Sequence, residues 1–156
     1  TFEKPMVKIY PALEEDVAGL EKIGEEGDFG VYTAPFQAEE WSAEVVGVKD
    51  CGKYVDYEIA VKYSAGKKEN GFLYIDFDGD TLELLIDGEK VNDHYYLGVD
   101  FEVGLRYYDF PKTVCARIYP LDENKIVYLQ KIPTFKDGKA IGINKVYAKK
   151  ETRYLF

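Results

Sequence analysis

The residues of this chain able to do chemistry crowd into one half of it. Asp76, Asp78, Asp80, Glu83, Asp93, Asp100 and Glu102 fall within 27 positions of one another, together with His94, the single histidine of the sequence. Paired carboxylates are the apparatus of glycoside hydrolysis, which needs one acid held protonated and a second held ionised. With so many acids on offer, no pair stands out, and most read as solvated groups at strand edges. "DFDGD" (Asp76, Asp78, Asp80) sets oxygen ligands at alternate positions, as half of a calcium loop does. The EF-hand pattern is not met, because Gly79 is fourth and position twelve is Asp87 rather than Glu. A strand ending followed by a turn through Asp78-Gly79 accounts for the same residues. His94 has no second histidine or nearby cysteine with which to complete a zinc set. The two serines, Ser42 and Ser64, lack the glycine context of a nucleophile elbow.

The aromatic residues carry the sharper expectation. A sugar ring lays its C–H face on Trp or Tyr while Asp, Asn, Arg or His grips pairs of hydroxyls. Trp41, Tyr95, Tyr96 and Tyr107, with Asp93, His94 and Arg106 beside them, supply these types. Adjacent strand residues point to opposite faces, so at most one of each Tyr95-Tyr96 and Tyr107-Tyr108 pair can face a common pocket. The competing reading places these rings in the core and edge of a tyrosine-rich sandwich, with their hydroxyls at the rim.

The elements that must position these residues are strands. "YVDYEIAVKYS" alternates strictly, with Val55, Tyr57, Ile59, Val61 and Tyr63 on one face and Asp56, Glu58, Ala60 and Lys62 on the other. "MVKIY", "FGVYTAPF", "WSAEVVGVK", the more uniformly apolar "FLYIDF", "TLELLID", "EKVND", "KTVCARIYPL", "KIVYLQKIP" and "KVYAKKETRYLF" are further strand signals. Asp87-Gly88 predicts a two-residue type I′ hairpin. Asn92 and Asp93 suit a turn in which the chain leaves one sheet for the other, with Tyr95 or Tyr96 anchoring the crossing and Gly98 relieving its backbone. "ALEEDVAGLEKIG" places Leu13, Val17, Leu20 and Ile23 at helical spacing and predicts one short helix ending at Gly24. Roughly eight to ten strands with at most one short helix predict an all-β fold, a β-sandwich of jelly-roll type, with a closed barrel as the all-β alternative.

Composition bounds the rest. At 156 residues the chain is long enough for one domain with a real core, and residues 1–156 read as a single β-sandwich domain. A net charge of -9 argues against a nucleic-acid or anionic-membrane surface. No apolar run approaches the ~20 residues of a membrane span. "TFEKPMVKIYP" has no signal-peptide pattern and no initiator Met, which reads as a piece of something longer and leaves the compartment open. Cys51 and Cys115 need no disulfide framework, and their pairing is left open.

From Phe72 to Tyr108 the order of features resembles a known family. An apolar strand ends in Asp76. Gly79-Asp80 follows, then a strand into Asp87-Gly88. After these come Asp93, the aromatic Tyr96, Gly98, and the strand exit Glu102-Val103-Gly104-Leu105. This stretch resembles the jelly-roll, galactose-binding-like accessory domain of bacterial family 35 glycoside hydrolases, the β-galactosidase type. The resemblance implies a non-catalytic carbohydrate-binding or structural module, excised from a larger multidomain enzyme. Its implied partners are a carbohydrate, galactose-containing for this family, and the parent's catalytic (β/α)8 barrel, which is absent here because strands and helices do not alternate. The expected site is Trp41, Asp93, His94, Tyr95, Tyr96, Arg106 and Tyr107. No cofactor is expected beyond a structural calcium at Asp76, Asp78 and Asp80. The alternative is a free-standing ligand-binding or adhesion sandwich with no hydrolase partner.

Overall fold

The computed structural model describes residues 6–15, 17–34, 41–64, 70–125 and 129–151. Its regular structure is almost entirely antiparallel strand. Contacts divide the chain into two compact units, Thr1–Ala38 with Thr152–Phe156, and Glu39–Glu151.

The smaller unit is a three-stranded sheet of β1 (Met6–Ile9), β2 (Glu21–Glu26) and β3 (Phe29–Thr33), with β3 in the middle. The predicted helix over Leu13–Ile23 does not form. Its trace among the described residues is a single turn, in which the Val17 N–H donates to the Leu13 carbonyl at 3.2 Å. Gly19 then takes a left-handed φ of 84° and Glu21–Glu26 bonds to β3. Two glycines in so short a segment weaken the helix, and an isolated helix of this length needs a packed apolar face to persist. Leu13 and Ile23 are instead half exposed.

The β-sandwich lies within the larger unit. One sheet has five strands: β4 (Ser42–Asp50), β5 (Val55–Lys62), β7 (Thr81–Ile86), β8 (Glu89–Tyr95) and β10 (Thr113–Tyr119), in the order β4-β5-β10-β7-β8. The other has β6 (Gly71–Asp78) between β9 (Phe101–Gly104) and β13 (Gly142–Lys150). A short pair, β11 (Leu121–Asp122) and β12 (Lys139–Ala140), links β10 to β13. Among the described residues no ladder joins the two main sheets edge to edge, so the barrel alternative is set aside. The chain passes repeatedly between them, and their inner faces share one apolar cluster that includes Ile59, Leu73, Ile75, Phe77, Leu82 and Ile118. Each such side chain contributes ~1.5–3 kcal/mol on burial.

Several strand expectations hold. The inward face of β5 is buried at Ile59 and Val61. Asp87 and Gly88 have φ of 51° and 83°, the two positive values a type I′ turn requires. Others change. Asn92 and Asp93 are not turn residues. They lie in β8, which has taken up an extra residue, Val91, where its register with β7 slips. The crossing comes later, between Tyr95 and Phe101. Tyr96 anchors it against Phe77, and Gly98 takes a φ of 81° there. "KIVYLQKIP" is not a described strand: residues 129–133 are irregular, and 126–128 lie outside the described residues. The apolar strand "FLYIDF" fully buries only one face: Leu73, Ile75 and Phe77 point inward, whereas Phe72, Tyr74 and Asp76 are partly buried on the other. Cys51 and Cys115 are free thiols.

One close approach fixes the sandwich near Trp41. A Cβ on Gly71 would fall 2.2 Å from the Trp41 ring and 2.7 Å from the Lys149 carbonyl oxygen. The ring cannot retreat, because Tyr63 and Phe110 pack against it edge-on at 4.9 and 5.9 Å. Gly71→Ala is therefore expected to destabilise the larger unit by about 1–3 kcal/mol. A denaturant melt checks this, and an unchanged midpoint would show that the indole has room to move.

Candidate functional site

Strand alternation separates the residues that the sequence sets side by side. Asp93 and Tyr95 lie on the outer face of the five-stranded sheet, where Asp93 pairs with Lys90 at 2.9 Å and Tyr95 is 71% exposed. His94 points inward. Its ring stacks on Phe101 at 4.9 Å and meets Phe77 edge-on at 6.3 Å. Tyr96 enters the core at the crossing. Arg106 and Tyr107 lie on a short 3-10 turn, Leu105–Tyr108, that follows β9. Trp41 is 5% exposed, wedged between Tyr63 and Phe110, and has no ring face free for a sugar. The expected single site thus becomes three separate places, and the Trp41 platform is corrected to a core residue.

The calcium set is not assembled either. The Asn144 amide donates to Asp76 at 3.4 Å, the Thr134 N–H donates to Asp78 at 3.4 Å, and Lys125 pairs with Asp80 at 2.6 Å. Asp76 and Asp78 belong to β6, whereas Asp80 leaves with the chain that crosses to β7. Among the described residues no three His, Cys, Asp or Glu side chains are placed to hold a metal ion.

Among the described residues, the buried His94 Nε2 and Tyr96 Oη have no hydrogen-bond partner. Burial lowers the His94 pKa from 6.5, so the imidazole is kept neutral. The Tyr96 hydroxyl is pushed up by burial, then by the Asp78 and Asp76 charges. Asn92 ties β8 to the 3-10 turn by donating to the Tyr108 hydroxyl at 3.3 Å.

Arg106 and Tyr107 do come together with something the sequence reading passed over. The outer face of the three-stranded sheet is a row of aromatic rings. The register places Tyr74 between Glu102 on β9 and Tyr147 on β13, and Phe72 between Gly104 and Lys149. Tyr74 and Tyr147 stack at 4.8 Å, 9° from parallel, and Phe72 lies 6.3 Å from Tyr74. Gly104 leaves the space that Tyr107 fills, since a Cβ there would meet its ring at 2.8 Å. Tyr107 is 73% exposed, with the Arg106 guanidinium 4.9 Å from its ring centre. Cations border the row: Lys145 and Lys149 lie 4.9 and 5.3 Å from the Tyr147 centroid. The Tyr147 hydroxyl donates to Asp100 at 2.6 Å. That bond, with burial, pushes its pKa up to about 12, so the phenol is a neutral donor over the physiological range. Chemically the face offers apolar ring surface together with hydroxyl, guanidinium, ammonium and carboxylate groups within one small area. The signal for it was Lys145, Tyr147 and Lys149 at alternate positions of "KVYAKK", which puts all three on one face.

A groove of about 480 Å³ opens on the outer face of the other sheet, with Lys49, Asp56, Glu58, Leu85, Asp87 and Cys115 in its lining. Arg117 holds Asp56 through two hydrogen bonds of 2.8 and 3.0 Å and lies 4.0 Å from the Tyr54 ring centre. None of the described residues that line the groove is aromatic.

His94 makes stability depend on pH in a defined direction. Its folded pKa lies below its unfolded value, so the folded state binds this proton less readily. The stability it contributes is fully present above about pH 6.5 and is lost as pH falls through the folded pKa. Denaturant melts at pH ~7.5 and ~5 are expected to show a larger loss on acidification for the native chain than for His94→Leu; equal losses would mean that His94 is solvated. In comparisons with known proteins, no family model, no curated protein and no solved structure matches this chain.

Proposed function

We propose that the chain is a non-catalytic carbohydrate-binding module and that its sugar site is the outer face of the three-stranded sheet. The observation that carries this is the aromatic row Phe72, Tyr74 and Tyr147, extended by the exposed Tyr107 and bordered by charged groups. A pyranose has two kinds of surface, and this face offers a partner for each. Its C–H side suits Tyr107, whose ring is the most open of the row. Its hydroxyls suit the Arg106 guanidinium, Glu102 and Lys149. The stacked Tyr74 and Tyr147 stand against each other and act as a rigid support. The galactose-binding-like resemblance of Phe72–Tyr108 favours a galactose-containing ligand and a place beside the catalytic barrel of a β-galactosidase-type enzyme.

The test is a glycan-array screen of the whole chain, rich in galactosides, followed by titration of any ligand found. Tyr107→Ala is expected to weaken binding about five- to tenfold while leaving the melt unchanged, the scale of ~1 kcal/mol from one aromatic contact. Trp41→Ala is unsuitable as the probe, because that ring is core. A folded sample that binds no glycan would sink the carbohydrate reading. Binding that Tyr107→Ala leaves intact would move the site to another face.

A further inference from the structure

Strand β4 is the outermost strand of the five-stranded sheet. One edge bonds to β5, and no strand among the described residues pairs with the other. An open edge is a row of unpaired N–H and C=O groups ready to accept another strand. Proteins usually blunt such edges with charge, proline or a bulge. β4 carries a bulge between Val45 and Gly47 and the charged Glu44, Lys49 and Asp50, and β13 approaches it without bonding to it; between those charges it presents three valines, Val45, Val46 and Val48, at 37, 55 and 63% exposure. Nine residues long, β4 and β13 are the longest described strands.

The sequence of that edge is complementary to itself. Laid antiparallel on a second copy, with the two-fold axis between Val46 and Gly47, "SAEVVGVKD" pairs Glu44 with Lys49, Val45 with Val48 and Val46 with Gly47, each pair occurring twice. The register with β5 decides whether these pairs can meet. Val45 lies opposite Ile59 and Val48 opposite Tyr57, both on the inward face of β5. Glu44 lies opposite Ala60 and Lys49 opposite Asp56, on the outward face. The bulge makes this possible, because without the extra residue Glu44 and Lys49 would fall on opposite faces. Directly opposed residues of antiparallel strands share a face, so both valine pairs fall on one side and both ion pairs on the other. A slip of one residue would set Val45 or Val48 against a charge. Glu44 already pairs with Lys62 at 2.6 Å, and a carboxylate can accept from two ammonium groups.

We propose that two copies of this chain associate through antiparallel β4–β4 pairing, which joins the five-stranded sheets into one continuous ten-stranded sheet. The contact is isologous and closed, so it consumes the open edge without creating another. The aromatic face is on the other sheet, and the proposal stands or falls independently of the sugar reading.

Sedimentation equilibrium of the whole chain over a wide concentration range is the test. The native chain is expected to show a monomer–dimer equilibrium. Lys49→Glu sets like charges opposite each other twice and is expected to weaken the dimer about tenfold or more. The double exchange Glu44→Lys with Lys49→Glu reverses both pairs and should restore association. Melts of each variant confirm that the monomer still folds. Rescue by the double exchange supports both the interface and its register. A native chain that stays monomeric at its highest soluble concentration overturns the proposal, as does a dimer indifferent to Lys49→Glu or one that the double exchange fails to restore.

Discussion

The inward face of β6 is the part on which the rest of the molecule depends. Leu73, Ile75 and Phe77 occupy the centre of the three-stranded sheet and are essentially sealed from solvent. They pack in one cluster with residues of the five-stranded sheet, among them Leu82, Leu84, Val114 and Ile118. Because strand side chains alternate, committing these three residues inward commits Phe72, Tyr74 and Asp76 outward. The hidden core and the outward aromatic row are therefore two consequences of one register.

The crossing between β8 and β9 shows the same constraint acting on polar groups. Phe77 is touched by both His94 and Tyr96, which bring one ring nitrogen and one hydroxyl into the interior without a partner among the described residues. Leaving such a group unpaired costs roughly 1–3 kcal/mol. The aromatic stacking on Phe77 and Phe101 offsets part of that. The neighbouring Asn92 finds a partner in Tyr108 and binds the crossing to the turn that carries Arg106 and Tyr107. A core contact thus positions an exposed one.

Bulges set the limits of the pattern. Val46 and Val91 each interrupt a ladder at an edge strand of the five-stranded sheet. Val91 keeps Asn92 and His94 on the inward side, where the alternation counted from Glu89 would have changed faces. The bulge at Val46 has the matching effect on β4, leaving Val45 and Val48 on one face and Glu44 and Lys49 on the other. The insertion of a residue, rather than the choice of side chain, decides which groups meet.

The sequence by itself determined the all-β class, the alternation of β5 and the Asp87-Gly88 hairpin, because side-chain period and turn chemistry are local properties of the chain. It also set Tyr95 or Tyr96, with Gly98, at a crossing between the sheets, and the structure gives those places to Tyr96 and Gly98. It misplaced the crossing by a few positions, and it read a helix where Gly19 and pairing with β3 made a turn and a strand. Tertiary structure alone decided that Trp41 is core, that Asp76, Asp78 and Asp80 go to separate partners, and that Tyr74 and Tyr147 stack. Each of these depends on which strand lies beside which, and on what covers the outer face of a sheet. Those pairings join residues as far apart as Tyr74 and Tyr147, whose register is set by burial of the opposite face and is not written in either segment.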